Sequence, residues 1–121
     1  MSIYDELSMY ADLKEFVNVE EGMGRVRDNA MLYKKILGSF LSSAYFEDFC
    51  TQVQNGDSAA VATIHTIKGL TANLSLPKSN QLCIQIEQKL KNGEDVKNDL
   101  PNMVEVMNKT KTYVEAVINK V

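Results

Sequence analysis

A chain of 121 residues with 45% hydrophobic and 24% charged residues has the composition of one globular domain, spanning residues 1–121, with a single core. Its net charge of −3 argues against a nucleic-acid partner, which would favour a basic face. No apolar run is long enough to span a membrane, and the first ten residues lack a signal peptide's basic end and apolar centre, so we expect a cytoplasmic protein without membrane contact.

Helical periodicity begins near the N-terminus, and no segment alternates for long enough to predict a strand. A first short helix is predicted over residues 1–16, and a second is predicted to begin at Asn18. Asn29 is predicted to cap a longer helix. The apolar phase is reset after this helix, which predicts a break near Ser42 and Ser43.

Three further helices are predicted. Asp57 is a good N-cap for a helix that runs to about Leu76 before Pro77, and Ser79 is predicted to cap the next one. The last helix starts or bends at Pro101. Its predicted apolar face comprises Leu100, Met103, Val104, Met107, Val114, Val117, Ile118 and Val121. Four substantial helices with short connections predict an all-α, up-down antiparallel four-helix bundle, covered by one or two short N-terminal helices.

Two cysteines, Cys50 and Cys83, fall on apolar helical faces. The chain has no C-x-x-C pair and no second histidine, so neither a disulfide nor a metal site is expected, and both cysteines are predicted to be core residues. A P-loop and a G-x-G-x-x-G motif are also missing, so no nucleotide cofactor is predicted.

The only histidine, His65, lies in the middle of a predicted helix. On a helical wheel at about 100° per residue it points away from the side predicted to face the core. That core side comprises Ala60, Thr63, Ile64, Ile67, Leu70, Thr71 and Leu74. The residues around His65 are mostly small or apolar and predict a shallow exposed platform, made of Ser58, Val61, Ala62, Lys68, Gly69, Ala72 and Leu76. A solvated surface histidine beside a lysine is the alternative interpretation.

His65, Lys68 and Gly69 allow a specific chemistry together. A histidine ring nitrogen is a nucleophile that is substantially unprotonated at cellular pH, and a phosphoryl group on it would add negative charge. Lys68, one turn along the same face, can approach phosphoryl oxygens. Gly69 lacks the Cβ that would stand beside the ring. A mid-helix glycine costs roughly 1 kcal/mol relative to alanine, which is explained if access to His65 matters.

The segment "IHTIKGLTANLSL" resembles the H-x-x-K-G signature of histidine-containing phosphotransfer domains. "VEEGMGRVRDNAMLYKKILGSFL" and "LCIQIEQKLKNGE" are similar to the family's first conserved region and closing helix, so the likeness covers residues 18 to 94. It implies a four-helix bundle that is phosphorylated on Nε2 of His65, with Lys68 neutralising the phosphoryl charge and Gly69 giving access. Leu70 and Thr71 depart from the family's small residues, and Ser75 stands where a second glycine is expected, which affects partner preference.

The resemblance implies a phosphocarrier and not an enzyme. Its partners would be response-regulator receiver domains and a hybrid sensor kinase, with Mg²⁺ on the receiver and no cofactor of its own, and we expect a monomer. The residues predicted to contact the partner are Ser58, Val61, Ala62, Ala72, Asn73 and Leu76. Between Ser58 and Asn92 there are four lysines and one acid, Glu87, which would complement a receiver's acidic metal pocket.

Two other classes of function stay open at this stage. One is a helical adaptor that binds a signalling partner without carrying phosphate. The other is a small helical enzyme that uses His65 as a general base. A label on the protein that is lost in mild acid and survives alkali, as phosphohistidine does, would distinguish the carrier from both.

Overall fold

The computed structural model describes residues 13–120, and within that range it contains helices and no strand. The helices are α1 (Leu13–Phe16), α2 (Val19–Arg25), α3 (Ala30–Ser42), α4 (Tyr45–Gln54), α5 (Ala60–Asn73), α6 (Pro77–Lys91) and α7 (Leu100–Lys120), with a 3-10 turn (Lys97–Asp99) before α7. The predicted all-α class is confirmed. The predicted helix over residues 1–16 is described only from Leu13, and Val121 lies outside the described residues.

Local capping chemistry sets the first boundaries as predicted. The side-chain oxygen of Asn18 accepts a hydrogen bond from the backbone N–H of Glu21 at 3.2 Å at the start of α2. Asn29 accepts from the N–H of Leu32 at 3.0 Å at the start of α3. These bonds satisfy backbone donors that have no partner within their own helix. Both predicted caps are therefore confirmed.

The predicted break after α3 is also confirmed. Helix α3 ends at Ser42, and α4 begins at Tyr45. The hydroxyl of Ser43 donates to the carbonyl of Phe40 at 3.0 Å, and that of Ser42 donates to the carbonyl of Gly38 at 3.2 Å. Serine side chains thus bond the last backbone carbonyls of α3, an arrangement that competes with continuing the helix.

The predicted start of α5 is shifted. Asp57 accepts from the backbone N–H of Ala59 at 2.9 Å, in the turn that precedes the helix. The helix itself begins at Ala60, and its N-cap, Ala59, makes no side-chain cap bond. Asp57 therefore stabilises the turn that leads into α5, and the prediction that it caps the helix is wrong.

The end of α5 also differs from the prediction. Ser75 adopts φ 57°, a left-handed conformation that a helix cannot continue through. The N–H of Ser75 donates to the carbonyl of Ala72 at 3.2 Å, and the N–H of Leu76 donates to the carbonyl of Thr71 at 2.9 Å. This is a Schellman termination, with a serine at the position that glycine usually takes. Helix α5 therefore ends at Asn73, short of the predicted Leu76.

Helix α6 begins earlier than predicted, at Pro77, which occupies its first turn as prolines favour. Ser79, predicted as the cap, is buried inside the helix. Its hydroxyl shares a hydrogen bond of 2.8 Å with that of Thr110, and Thr110 donates in turn to the carbonyl of Val106 at 2.7 Å. Ser79 thus joins α6 to α7, and the prediction that it caps a helix is wrong.

Helices α5 and α6 form the most extensive pair, α4 packs on α5, and both α3 and α6 pack on α7. The core is continuous across these elements. Its largest fully buried side chains include Tyr33, Leu37, Phe49, Ile64, Ile67, Leu76, Ile86, Met103 and Met107. None of the helices within residues 13–120 combines the length and apolar character needed to cross a membrane.

The buried face of α7 includes Leu100, Met103, Met107, Val114 and Val117 as predicted, but Ile118 is only partly buried. Val106, at 8% exposed, and Thr110 are buried, whereas Val104 is 38% exposed. The buried residues recur every three or four positions from Met103 to Val117, and Val104 lies outside that stripe. An apolar side chain does not by itself decide the face on which it lies.

Both cysteines pack in the core region as expected, to different degrees. Cys83 is fully buried, and this burial raises the pKa of its thiol to about 12. Cys50 is partly buried, and burial raises its pKa as well. Among residues 13–120, no three side chains of histidine, cysteine, aspartate or glutamate converge to hold a metal ion.

Candidate functional site

His65 lies in the middle of α5 with 66% of its side chain exposed. The opposite side of α5 faces the core, where Ile64, Ile67 and Thr71 are buried. The wheel therefore placed the histidine correctly. The regular helix fixes the outward direction of the ring, because residues on opposite sides of its axis cannot both face the core.

Glu87 is the residue of this site that sequence reasoning missed. It comes from α6 with only 6% of its side chain exposed. One carboxylate oxygen, Oε2, lies 2.8 Å from Nδ1 of His65, and the other, Oε1, accepts from Nζ of Lys68 at 2.5 Å. A single buried carboxylate thus holds both side chains that the H-x-x-K pattern singles out.

A signal for Glu87 was present in the sequence. It stands four residues after Cys83 and three before Leu90, so it lies on the side of its helix that these two apolar residues share. An acid at such a position is buried, and a buried acid requires a partner. Nothing in the spacing identified that partner, because His65 lies 22 residues earlier and on another helix.

The charge state of Glu87 decides the tautomer of the histidine. The hydrogen bond from Lys68 lowers the pKa of Glu87, burial opposes this by raising it, and the bond to His65 lowers it further. An ionised carboxylate only accepts hydrogen bonds, so Nδ1 of His65 must donate. In the neutral ring the lone pair then belongs to Nε2, the nitrogen that does not face Glu87.

A second lysine lies near the same carboxylate. Nζ of Lys91 is 3.7 Å from Oε1 of Glu87, one helical turn further along α6. Its side chain is 54% exposed, compared with 30% for Lys68. Glu87 therefore has a hydrogen-bonded lysine on α5 and a second lysine within ion-pair distance on its own helix.

Gly69 is exposed, and a Cβ built on it meets nothing within 4 Å outside its own helix. Gly22 gives the opposite case, because its Cβ would lie 2.6 Å from the ring of Tyr33. Close packing therefore requires the glycine in α2 and does not require the one in α5. The space that Gly69 leaves open lies on the surface, one turn from His65.

The predicted platform around His65 is present except at Leu76. Ser58, Ala62, Ala72 and Asn73 are exposed, and Val61 is partly buried. Leu76 is fully buried, so the prediction that it contacts a partner is wrong. The left-handed Ser75 ends the helix before Leu76 and turns the chain, so the wheel no longer describes where that side chain points.

Ser75 also anchors α2 to the end of α5. Its hydroxyl donates to Glu21 at 2.9 Å and accepts from Nε of Arg25 at 3.1 Å, and its carbonyl accepts from the N–H of Asn18 at 2.8 Å. The bond from Ser75, followed by that from Arg25, lowers the pKa of Glu21. These polar contacts explain how a residue other than glycine is held in the left-handed conformation.

Helix α6 contributes a stripe of side chains that reaches His65 through Glu87. Asn80, Ile84, Glu87 and Lys91 are spaced by four, three and four residues, so they share one side of α6. The side chain of Asn80 donates to the carbonyl of Lys68 at 2.9 Å, which fixes this stripe against α5. Ile84 is 49% exposed within it. The exposed surface around His65 thus has an apolar component from α6.

Comparison with family models, curated proteins and solved structures finds no match to this chain. What the site can do follows from its own arrangement. An exposed imidazole presents Nε2 at the surface, a buried carboxylate holds Nδ1, and the ammonium groups of two lysines lie within ion-pair distance of that carboxylate. Such an arrangement suits transfer of a negatively charged electrophilic group to Nε2. The carboxylate orients the ring, and the lysines can stabilise the incoming negative charge.

Proposed function

We propose that this chain is a phosphocarrier of the histidine-containing phosphotransfer type, which accepts a phosphoryl group on Nε2 of His65 and passes it on. The observation that carries the proposal is the bond between Nδ1 of this exposed histidine and the buried carboxylate of Glu87. It provides a nucleophilic nitrogen of defined tautomer on an accessible surface. Such an arrangement is expected where a donor as large as a protein domain must approach the ring.

The proposed step transfers a phosphoryl group from an aspartyl phosphate of the receiver domain to His65. The Nε2 lone pair attacks the phosphorus of an aspartyl phosphate, the bond from phosphorus to the aspartate oxygen breaks, and the aspartate leaves as a carboxylate. The ring becomes positively charged as the nitrogen–phosphorus bond forms, and the carboxylate of Glu87 stabilises that charge through the proton on Nδ1. Mg²⁺ and the aspartate belong to the receiver domain, so this chain is not an enzyme and needs no cofactor.

The overall arrangement we infer is an up-down four-helix bundle, in which α3 with α4, then α5, α6 and α7 form the four members. The antiparallel course of α5 and α6 supports it, because Asn80 at the start of α6 reaches Lys68 while Glu87, later in α6, reaches back to His65. The packing of α7 on α3 and α6 supports closure of the bundle. In this arrangement His65 lies midway along one outer face.

The partner surface we infer lies around His65 on α5 and α6. Ala62, Gly69 and Ala72 are small and exposed on α5, and Ile84 is a half-exposed apolar side chain on α6. Lys68 and Lys91 give this surface a basic character although the whole chain is acidic. It is therefore complementary to the acidic, metal-binding pocket of a receiver domain, whether free or attached to a hybrid sensor kinase.

The decisive experiment incubates the protein with a phosphorylated receiver domain and Mg²⁺, using a radioactive phosphoryl group. We expect label on this chain that is lost in mild acid and survives alkali. His65→Gln should fold normally, since the ring is exposed, and take up no label. Label retained by His65→Gln would refute the proposal, and receiver binding without any label on the wild-type protein would identify an adaptor.

Glu87→Gln provides a second variant for the same assay. The glutamine oxygen can still accept from Nδ1, but the negative charge that stabilises the phosphorylated ring is lost. We expect slower labelling with the same acid and alkali behaviour. A hydrolase that used His65 as a general base would instead show turnover of a substrate and no stable label.

A further inference from the structure

We propose that Lys91 is a positioning residue for the phosphorylated state, in which it replaces Lys68 as the cation bound to Glu87. This inference rests on the proposed phosphorylation of His65. It concerns a residue outside the H-x-x-K-G segment, and it follows from the way that two lysines are placed around one buried carboxylate.

Before phosphorylation, Lys68 is hydrogen-bonded to Glu87. Its ammonium lies 2.5 Å from Oε1, and its side chain is 30% exposed. It also lies one helical turn from His65 on the same face of α5. A phosphoryl group on Nε2 would present oxygens that carry more negative charge than a carboxylate does, so the flexible ammonium of Lys68 would be drawn towards them.

Movement of Lys68 would leave Oε1 of Glu87 without its hydrogen-bond donor. The side chain of Glu87 is only 6% exposed, so water cannot solvate it fully. The titratable and charged side chains that face it are His65 and Lys68 from α5 and Lys91 from α6. His65 already occupies Oε2. A buried carboxylate that loses its cation is strongly destabilised, so a replacement is needed.

Lys91 is placed to be that replacement. Its ammonium is 3.7 Å from the same Oε1 and needs to move by only about 1 Å to form a charge-assisted hydrogen bond. Glu87 precedes Lys91 by four residues in α6, which is the favourable order for such a pair in a helix. With 54% of the side chain exposed, Lys91 can move without repacking the core.

Lys89 provides a matched control in the same helical turn. It carries the same charge, but its ammonium is bound to Asp99 at 2.9 Å and lies on another side of α6. Lys91→Met and Lys89→Met therefore make the same change of net charge and leave Lys68 untouched. Only the first removes a cation that can reach Glu87.

The first test measures the lifetime of phosphohistidine in the wild-type protein and both variants after labelling by a phosphorylated receiver. We expect Lys91→Met to shorten the lifetime by about two- to fivefold, the range for a partly exposed ion pair, and Lys89→Met to leave it unchanged. In a Glu87→Gln background the effect of Lys91→Met should vanish. Equal lifetimes in all three proteins, or equal losses in both variants, would overturn the inference.

The second test needs no phosphoryl group and so separates this inference from the proposed function. In the unphosphorylated protein, Lys91→Met should change the free energy of unfolding little while Lys68 holds Glu87. In a Lys68→Met background, Lys91 should have taken over, and its loss should destabilise the fold clearly more. If the two effects are simply additive, Lys91 does not replace Lys68, even when wild-type protein is labelled normally.

Discussion

Replacing Gly69 by alanine tests the role of the site most directly, because the structure supplies a control in the same chain. Gly69 and Gly38 both lie within helices, and a Cβ added to either meets nothing within 4 Å outside its own helix. Alanine gains about 1 kcal/mol over glycine in a helix interior and also restricts the unfolded chain. For a domain of this size we expect each variant to melt about 4 °C higher.

The two variants should differ in phosphotransfer. An added methyl at Gly69 touches no other side chain in this structure, but it lies one helical turn from His65 on the surface that the phosphoryl donor must approach. A displacement of about 1 Å between reacting atoms can lower a rate about a hundredfold. We expect Gly69→Ala to slow transfer from a phosphorylated receiver, Gly69→Gln to slow it more, and Gly38→Ala to transfer at the wild-type rate.

Rapid-quench labelling gives the transfer rate, and thermal denaturation followed by circular dichroism gives the stability of the same preparations. A Gly69→Ala protein that is more stable and transfers as fast as Gly38→Ala would refute the idea that the glycine provides access. A Gly69→Ala protein that is less stable than wild type would refute the structural premise that open space surrounds this position.

Three further predictions follow from the contacts around His65. In a Lys91→Met background, Lys68→Met should lower the free energy of unfolding by about 1–2 kcal/mol, because the buried carboxylate then loses its hydrogen-bonded lysine with no second lysine to replace it. Denaturant unfolding that shows no change in that background would contradict the observed pair. Because its pKa is lowered from 4.5, Glu87 binds protons more readily in the unfolded chain, so its stabilisation is present above that pH and is lost as the pH falls through the folded-state value. Glu87→Gln should therefore lose less stability than wild type when unfolding is measured at successively lower pH below about 4.5, and parallel curves would count against this reasoning. Ile84→Ser, at a side chain 49% exposed, should weaken binding of a receiver domain in calorimetry while leaving the melting temperature nearly unchanged, and undiminished affinity would remove Ile84 from the partner surface.

The features that the sequence alone determined are local. The caps at Asn18 and Asn29 depend on a side chain that reaches a backbone N–H three residues ahead, and the break after Ser42 depends on adjacent serines and a change of apolar phase. The outward direction of His65 follows from the period of one regular helix. Each of these involves residues within a few positions of one another, so the printed sequence contains all the information needed.

The features that only the tertiary structure decided depend on contacts between separate helices. Ser75 adopts a left-handed conformation held by residues of α2 that lie about fifty positions away. The chain therefore turns before Leu76, which is buried although the helical wheel predicted it to be exposed. Glu87 reaches His65 and Lys68 only because α5 and α6 pack side by side in one particular register. Periodicity identifies which face of a helix is buried, but not which residue lies opposite, because that choice is made by packing across the whole core.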